Sequence, residues 1–412
     1  MIIHEGIQFH VIQTKKFKDI AISIRFANAL EKQKAPARSL LALMLCDRCK
    51  KYPTKQEMSS YQDYLYGTTL VAQTMGYGQS QVMELRMKCI NPEYVKDNHN
   101  VMEEIFAYLH EILYEPLLTQ DLFDEAKMML LAKIKRNEDD PAQYAISQGL
   151  KQAGEHTPLS LSSLGEKEEV ENLTLCDIQQ TYTSMLEEEQ IDILICGDVD
   201  EASMTQHVLQ YLPWKKRVID VKTFYRVENN LHDEYREAYK NISQTSIMMV
   251  WFTNTRIVDK DYYALRVANA IFGQYSTSLL FQEVREKNSL CYSVFSNLIA
   301  YDGALGVTTG VEKENVEKTI SLIRKQFDIM RKGEFDHDLM DVSKQMIINS
   351  LKASKDNMNS LIALEYQNTL LSKQDTTEDI ISYVQSVSFD DVVNVCKKCE
   401  LKMTFVVTQG GA

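Results

Sequence analysis

The sequence predicts an α+β fold of two tandem homologous α/β sandwich domains, with helices packed on antiparallel-rich sheets. Three observations lead there. Short stretches of two-residue apolar alternation interleave with longer stretches of helical period. The order of these stretches restarts after about residue 240. Segments of the second half also parallel segments of the first at a nearly constant offset.

In order along the chain, residues 7–13 and 20–26 alternate as strands, with Ile20, Ile22, Ile24 and Phe26 on one face. The polar run 15–19 joins them. Pro36 opens a helix whose buried part is 40–46, since proline fits the first helical turn. A second helix covers 54–65 and ends at Gly67, before a strand at 69–74. Another strand covers 81–89 and breaks at Asn91-Pro92. A helix at 94–113 carries Val101, Ile105, Leu109 and Ile112 on one side, and one at 122–134 carries Leu122, Ala126, Met129, Leu130 and Ile134. Pro141 starts a further helix. A helix at 177–185 and a strand at 191–196 close the first half.

Residues 213–240 contain Pro213 and a charged, irregular run through Val227, Glu228, Asn229, Asn230, Arg236 and Glu237, which reads as a linker. The expected division is a first domain at 1–212, a linker at 213–240 and a second domain at 241–412. Beyond the linker come a strand at 246–252, a helix at 262–271, a helix and strand around Arg285 and Tyr292, and a hairpin partner at 305–311. Long helices start near Asn315 and Asp338, and a helix at 387–399 leads into a strand at 401–408. PLLTQDLFDEAKMMLLAKI parallels GEFDHDLMDVSKQMIINSL, and LTLCDIQQTYTSMLEEEQIDILICGD parallels VSFDDVVNVCKKCELKMTFVVTQG. The offset is about 215 residues, a domain duplication rather than a solenoid repeat.

The 412 residues suit two or more domains. With a net charge of −13 and a pI near 5.2, nothing supplies the basic field that would draw in phosphates, so nucleic acid is not the expected partner. The N-terminus has no apolar central region of signal-peptide length, and no apolar run is long enough to span a bilayer. A cytoplasmic protein without membrane attachment is expected. Eight cysteines in such a chain read as reduced thiols. The pairs Cys46/Cys49 and Cys396/Cys399 lie at opposite ends of the chain and read as helix residues rather than a zinc or redox site.

Residues 280–296, LFQEVREKNSLCYSVFS, carry the most chemistry. They read as a helix end with Arg285, a polar turn at Lys287-Asn288-Ser289, and a strand with Tyr292. A guanidinium and a phenol are thereby brought beside a sheet. Both can hydrogen-bond a peptide carbonyl without a metal or a shifted pKa. Arg285, Glu286, Leu290 and Tyr292 match a pattern "R-E-x-x-x-L-x-Y" that follows the helix carrying Leu280. In this the chain resembles the second domain of peptidase family M16, the pitrilysin, insulinase and mitochondrial-processing-peptidase group.

The resemblance covers nearly the whole chain and implies the LuxS/processing-peptidase-like metallohydrolase fold. It also implies that Arg285 and Tyr292 bind substrate. Active members carry HxxEH on the first domain's first helix and a further glutamate on a later helix. Two histidines and that glutamate hold zinc, and the glutamate within the motif takes a proton from the bound water. Here no two of the eight histidines lie four apart. Aligned on MLCDRCKKYP, the motif falls on Ser39, Leu40, Leu41, Ala42 and Leu43, so its two histidines and its glutamate are replaced by Ser39, Leu43 and Ala42. In FDEAKMMLLAKIKRNEDDP the distal ligand position is Lys133, an ammonium that would repel zinc. No metal and no cofactor are expected, and no catalytic residue of the chain's own.

The segment KKYPTKQEM through YLYGTTL resembles zinc-free bacterial members associated with elongation factor P 5-aminopentanol modification. The family implies a heterodimer in which an HxxEH-bearing M16 homologue supplies the zinc. This chain would supply part of the peptide-binding chamber, a homodimer being open as well. The alternative is a degenerate homologue acting as a binding or scaffold protein. A stand-alone hydrolase built on Cys291 is a third class, and no histidine lies near that cysteine in sequence.

Overall fold

The computed structural model describes residues 1–96, 100–217, 219, 221–227 and 233–410. His99, His232 and the run Glu228-Asn229-Asn230 lie outside the described residues. The chain divides into two units. The first holds Met1–Ile134, Ser162–Thr223 and Ser354–Gln374; the second holds Lys135–Leu161, Phe224–Ala353 and Asp375–Ala412.

The first unit is built on strands β1 (Ile2–His4), β2 (Ile7–Gln13), β3 (Asp19–Ala29), β4 (Thr69–Tyr77), β5 (Ser80–Ile90) and β6 (Gln190–Gly197). Their order across the sheet is β1-β2-β6-β3-β5-β4. Among the described residues of this sheet only β2 and β6 pair in parallel. The alternation seen at Ile20, Ile22, Ile24 and Phe26 is the core face of β3. That face packs under helices Ala35–Asp47 and Val101–Tyr114. The intervening residues of β3 are buried too, because helix Met358–Leu371 covers the opposite face.

The second unit is built on β7 (Glu234–Lys240), β8 (Thr245–Phe252), β9 (Cys291–Ile299), β10 (Ala304–Val311) and β11 (Glu400–Gln409), in the order β7-β11-β8-β10-β9. Beyond β1, this is the first sheet's order over again, including its one parallel pair, β7 with β11. Helices Tyr262–Asn269, Val316–Lys332 and Phe389–Lys398 pack on one face around Trp251, Phe272 and Phe327. Helix Pro141–Ala153 lies on the other, over Met248, Val250 and Phe405. It comes so close at Gly149 that a Cβ there would sit 2.6 Å from Met248 Cγ. Corresponding helices of the two sequence repeats, 141–153 and 358–371, thus each belong to the unit of the other repeat.

Some elements differ from the sequence expectation. The helix expected from 94 begins at Val101, after a single tight turn at Pro92–Tyr94. The charged run ahead of residue 240 ends in a strand, β7, rather than in irregular chain. Helices Met358–Leu371 and Thr377–Ser386 were not anticipated. Among the described residues no helix is long and apolar enough to cross a membrane.

Candidate functional site

Arg285 and Tyr292 meet at a junction where both flanking elements are irregular. Phe281–Lys287 is wound as a π-helix, a form that inserts an extra residue and recurs at functional sites. Its end is fixed by a left-handed Ser289 at φ 51°. The Ser289 amide donates to the Arg285 carbonyl at 3.0 Å, and the Leu290 amide donates to the Val284 carbonyl at 3.1 Å. Each bond spans one residue more than in a Schellman closure, in keeping with the π winding, and Leu290 is the buried anchor. The Asn288 side-chain amide donates to the Glu283 carbonyl at 2.8 Å. Arg285 therefore stands at a helix C-terminus, where a cation is favoured.

The strand that follows carries a bulge. Val294 faces Thr309 and Cys291 faces Val311, so three steps on β9 oppose two on β10. The extra residue puts Cys291 and Val294 against the same core, whereas regular alternation would put them on opposite faces. Tyr292 is thereby turned out and is 85% exposed. The Arg285 guanidinium carbon lies 5.5 Å from the centre of the Tyr292 ring and 4.5 Å from that of Phe281. β9 is an edge strand, so the pair stands beside an open row of backbone groups. Ser296 anchors the strand by donating to Asn269 Oδ1 at 2.7 Å.

Chemically, this is a pair of hydrogen-bond donors without a nucleophile. Burial pushes the Cys291 thiol up, against the opposing effects of Thr309 and Arg285, so it stays protonated.

The positions aligned with the zinc motif are occupied otherwise. Ser39 is buried on helix Ala35–Asp47, 2.6 Å from Thr74 Oγ1, and donates to the Ser163 carbonyl at 2.7 Å. Ala42 is buried, Leu43 half-buried, and Lys133 exposed on helix Gln120–Asp139. Among the described residues no group of three or more His, Cys, Asp or Glu side chains is placed to hold a metal ion.

Beside Ser39 lies a cluster that the sequence reading missed. Arg38 is 1% exposed, pairs with Glu189, and donates to Gln81 Oε1 and the Phe26 carbonyl, each at 2.9 Å. Its one signal in the sequence is an arginine at the mouth of an apolar helix.

The family model for the peptidase M16 inactive domain matches residues 172–347, which include the whole Arg285/Tyr292 junction. Through these residues the chain is similar to the M16 peptidase family. Over 99% of its length it is 28% identical to the probable inactive metalloprotease YmfF of Bacillus subtilis, covering 98% of that protein. It is 22% identical to the non-peptidase homolog YmxG of Helicobacter pylori, over 75% of this chain and 71% of that one. A conserved protein from Enterococcus faecalis V583 superposes with a TM-score of 0.93 at 26% identity, over 99% of this chain and 97% of the other. Two of these relatives are named inactive or non-peptidase, and in this chain the positions aligned with the zinc motif hold serine, alanine, leucine and lysine.

Proposed function

We propose that this protein is the non-catalytic subunit of a heterodimeric M16-type zinc peptidase acting in the cytoplasm. A homologue bearing HxxEH supplies the zinc. This chain, with two homologous domains in tandem, completes the peptide-binding chamber. It donates Arg285 and Tyr292 to the substrate. The observation that carries the reading is the Arg285/Tyr292 junction. A π-helix end and a strand bulge turn a cation and a phenol outward beside an open sheet edge, in a chain whose zinc-motif positions cannot bind metal.

In this reading Arg285 holds a substrate carbonyl through its planar fork, and Tyr292 Oη donates to a peptide oxygen as charge builds there. Removing one such donor is expected to lower turnover by about 10²–10³ if it acts on the developing charge. The test is to make Arg285→Ala and Tyr292→Phe in this subunit and assay peptide cleavage by the reconstituted pair. Complex formation should be unchanged and cleavage reduced. Unaltered cleavage by both variants would remove the assigned role.

A second reading is a degenerate homologue acting as a binding or scaffold protein. Its similarity to an inactive metalloprotease and a non-peptidase homolog favours it. Purification from cells with an unrelated protein, and without a zinc-bearing homologue, would support that reading.

A further inference from the structure

The duplication provides an internal template for a second site. In the first unit, β2 is followed outward by β1, which pairs with it antiparallel at Ile2–Gln8 and His4–Ile7. β2 buries Ile7 and Phe9 in the core that helix Glu201–Tyr211 joins through Met204 and Val208. In the second unit β7 holds the place of β2, parallel to the last strand. No described strand lies outside it.

The open edge has a definite chemistry. The Lys240 carbonyl accepts from the Gly410 amide at 3.3 Å, so Lys240 faces β11. By strand alternation, Tyr235, Glu237 and Tyr239 then turn their amides and carbonyls to the open side. The same three residues share one side-chain face. Both tyrosines donate to the Glu237 carboxylate, at 2.5 and 2.7 Å. Tyr235 and Tyr239 are 50% and 64% exposed. Tyr235 and Glu237 floor an open groove of about 780 Å³, walled by Glu317, Arg324 and Asp328 of helix Val316–Lys332. Arg324 is held by Asp233 at 2.9 Å. The hydroxyls of Tyr235 and Tyr239 keep the Glu237 carboxyl below the usual carboxylate range, so it is charged at neutral pH.

We propose that the outer edge of β7 is a binding site for an extended segment of a partner polypeptide. The segment adds as an antiparallel strand and sets a lysine or arginine opposite Glu237, between Tyr235 and Tyr239. The backbone edge supplies the hydrogen bonds, and the acid flanked by two aromatic faces selects the cation. Self-pairing is disfavoured, because two β7 strands paired about their centres set Glu237 against Glu237. The site is separate from the Arg285/Tyr292 junction, which lies on β9 at the opposite edge of the sheet.

The test uses the full-length protein and a labelled peptide of alternating threonine and valine with one central arginine. Comparison peptides carry a central glutamate, or N-methyl groups on alternate amides. The site predicts saturable binding of the arginine peptide, with slowed amide exchange at Tyr235, Glu237 and Tyr239. The central glutamate, or Glu237→Gln in the protein, should weaken binding by about three- to tenfold, and N-methylation should abolish it. Equal affinity for the arginine and glutamate peptides, protection at β9 instead of β7, or no saturable binding would overturn the assignment. So would concentration-dependent dimerisation lost in a variant with Tyr239→Pro, whose missing amide lies on the open edge. All these readouts are binding or exchange, so they stand apart from any loss of peptidase activity.

Discussion

Arg38 sits one residue ahead of the first aligned motif position, and its guanidinium binds the core of the first unit together. It ties helix Ala35–Asp47 to Glu189, Gln81 and the Phe26 carbonyl. Arg38→Leu would leave the buried Glu189 carboxylate without a countercharge, with the Asn28 amide as its remaining donor, at a cost of about 3–5 kcal/mol; the urea midpoint of the variant measures it. Asp192 is a second buried charge. It accepts from Gln190 Nε2 at 3.0 Å, while its Oδ1 has no partner. Burial raises its pKa to about 6. A folded pKa above the unfolded one means that this group's stability contribution is complete below about pH 4 and is lost as pH rises through about 6. Asp192→Asn should therefore gain stability on the native protein between pH 4 and pH 7, by about 2–3 kcal/mol. A difference that does not change with pH would contradict the assignment. Ser39, Ala42, Leu43 and Lys133 lead to a plainer prediction. Metal analysis of purified protein should find well under one zinc per chain, and a tightly held stoichiometric zinc would refute the alignment.

At the scale of elements, close packing and backbone irregularity decide most. Gly149 lets helix Pro141–Ala153 approach β8, and Gly149→Ala should cost about 1–3 kcal/mol by forcing Met248 aside, read from thermal or urea unfolding. Elements with an apolar face were legible in the sequence: β2 and the core side of β3 fall where alternation places them. β7 was not, because both of its faces are polar or amphipathic and it offers no apolar period. Helix Met358–Leu371 was missed because its large aliphatic residues (Met358, Leu361, Ile362, Leu364, Leu370 and Leu371) are spread around it. One side lies on a sheet face that carries Ser23, Arg25 and Glu84. For the candidate site, the sequence supplied the residue types Arg285 and Tyr292 and the helix–turn–strand order. The π-helical winding and the bulge remained hidden, since one inserted residue leaves no mark in a periodicity that short. Arg38 and Glu189 were hidden for a different reason: they are 151 residues apart and only the fold brings them together.

For the whole molecule, the duplication is more than two copies in series. Residues 354–374 complete the first unit and residues 135–161 the second. A fragment of residues 1–212 would leave Ala21, Val82, Leu194 and Cys196 on an uncovered sheet face. It should aggregate or stay partly unfolded, and a peptide of residues 354–374 supplied in trans should restore soluble, cooperatively unfolding protein. A stable fragment without the peptide would show that the helix is dispensable. The most direct test of the central claim mixes this protein with an HxxEH-bearing M16 homologue from the same genome. Complex formation is followed by mass and activity with a quenched peptide library, each protein alone serving as control. The account predicts a complex, and cleavage that needs both chains and is lost with a chelator. No complex and no gain in cleavage would contradict it and leave Arg285 and Tyr292 as inherited structure.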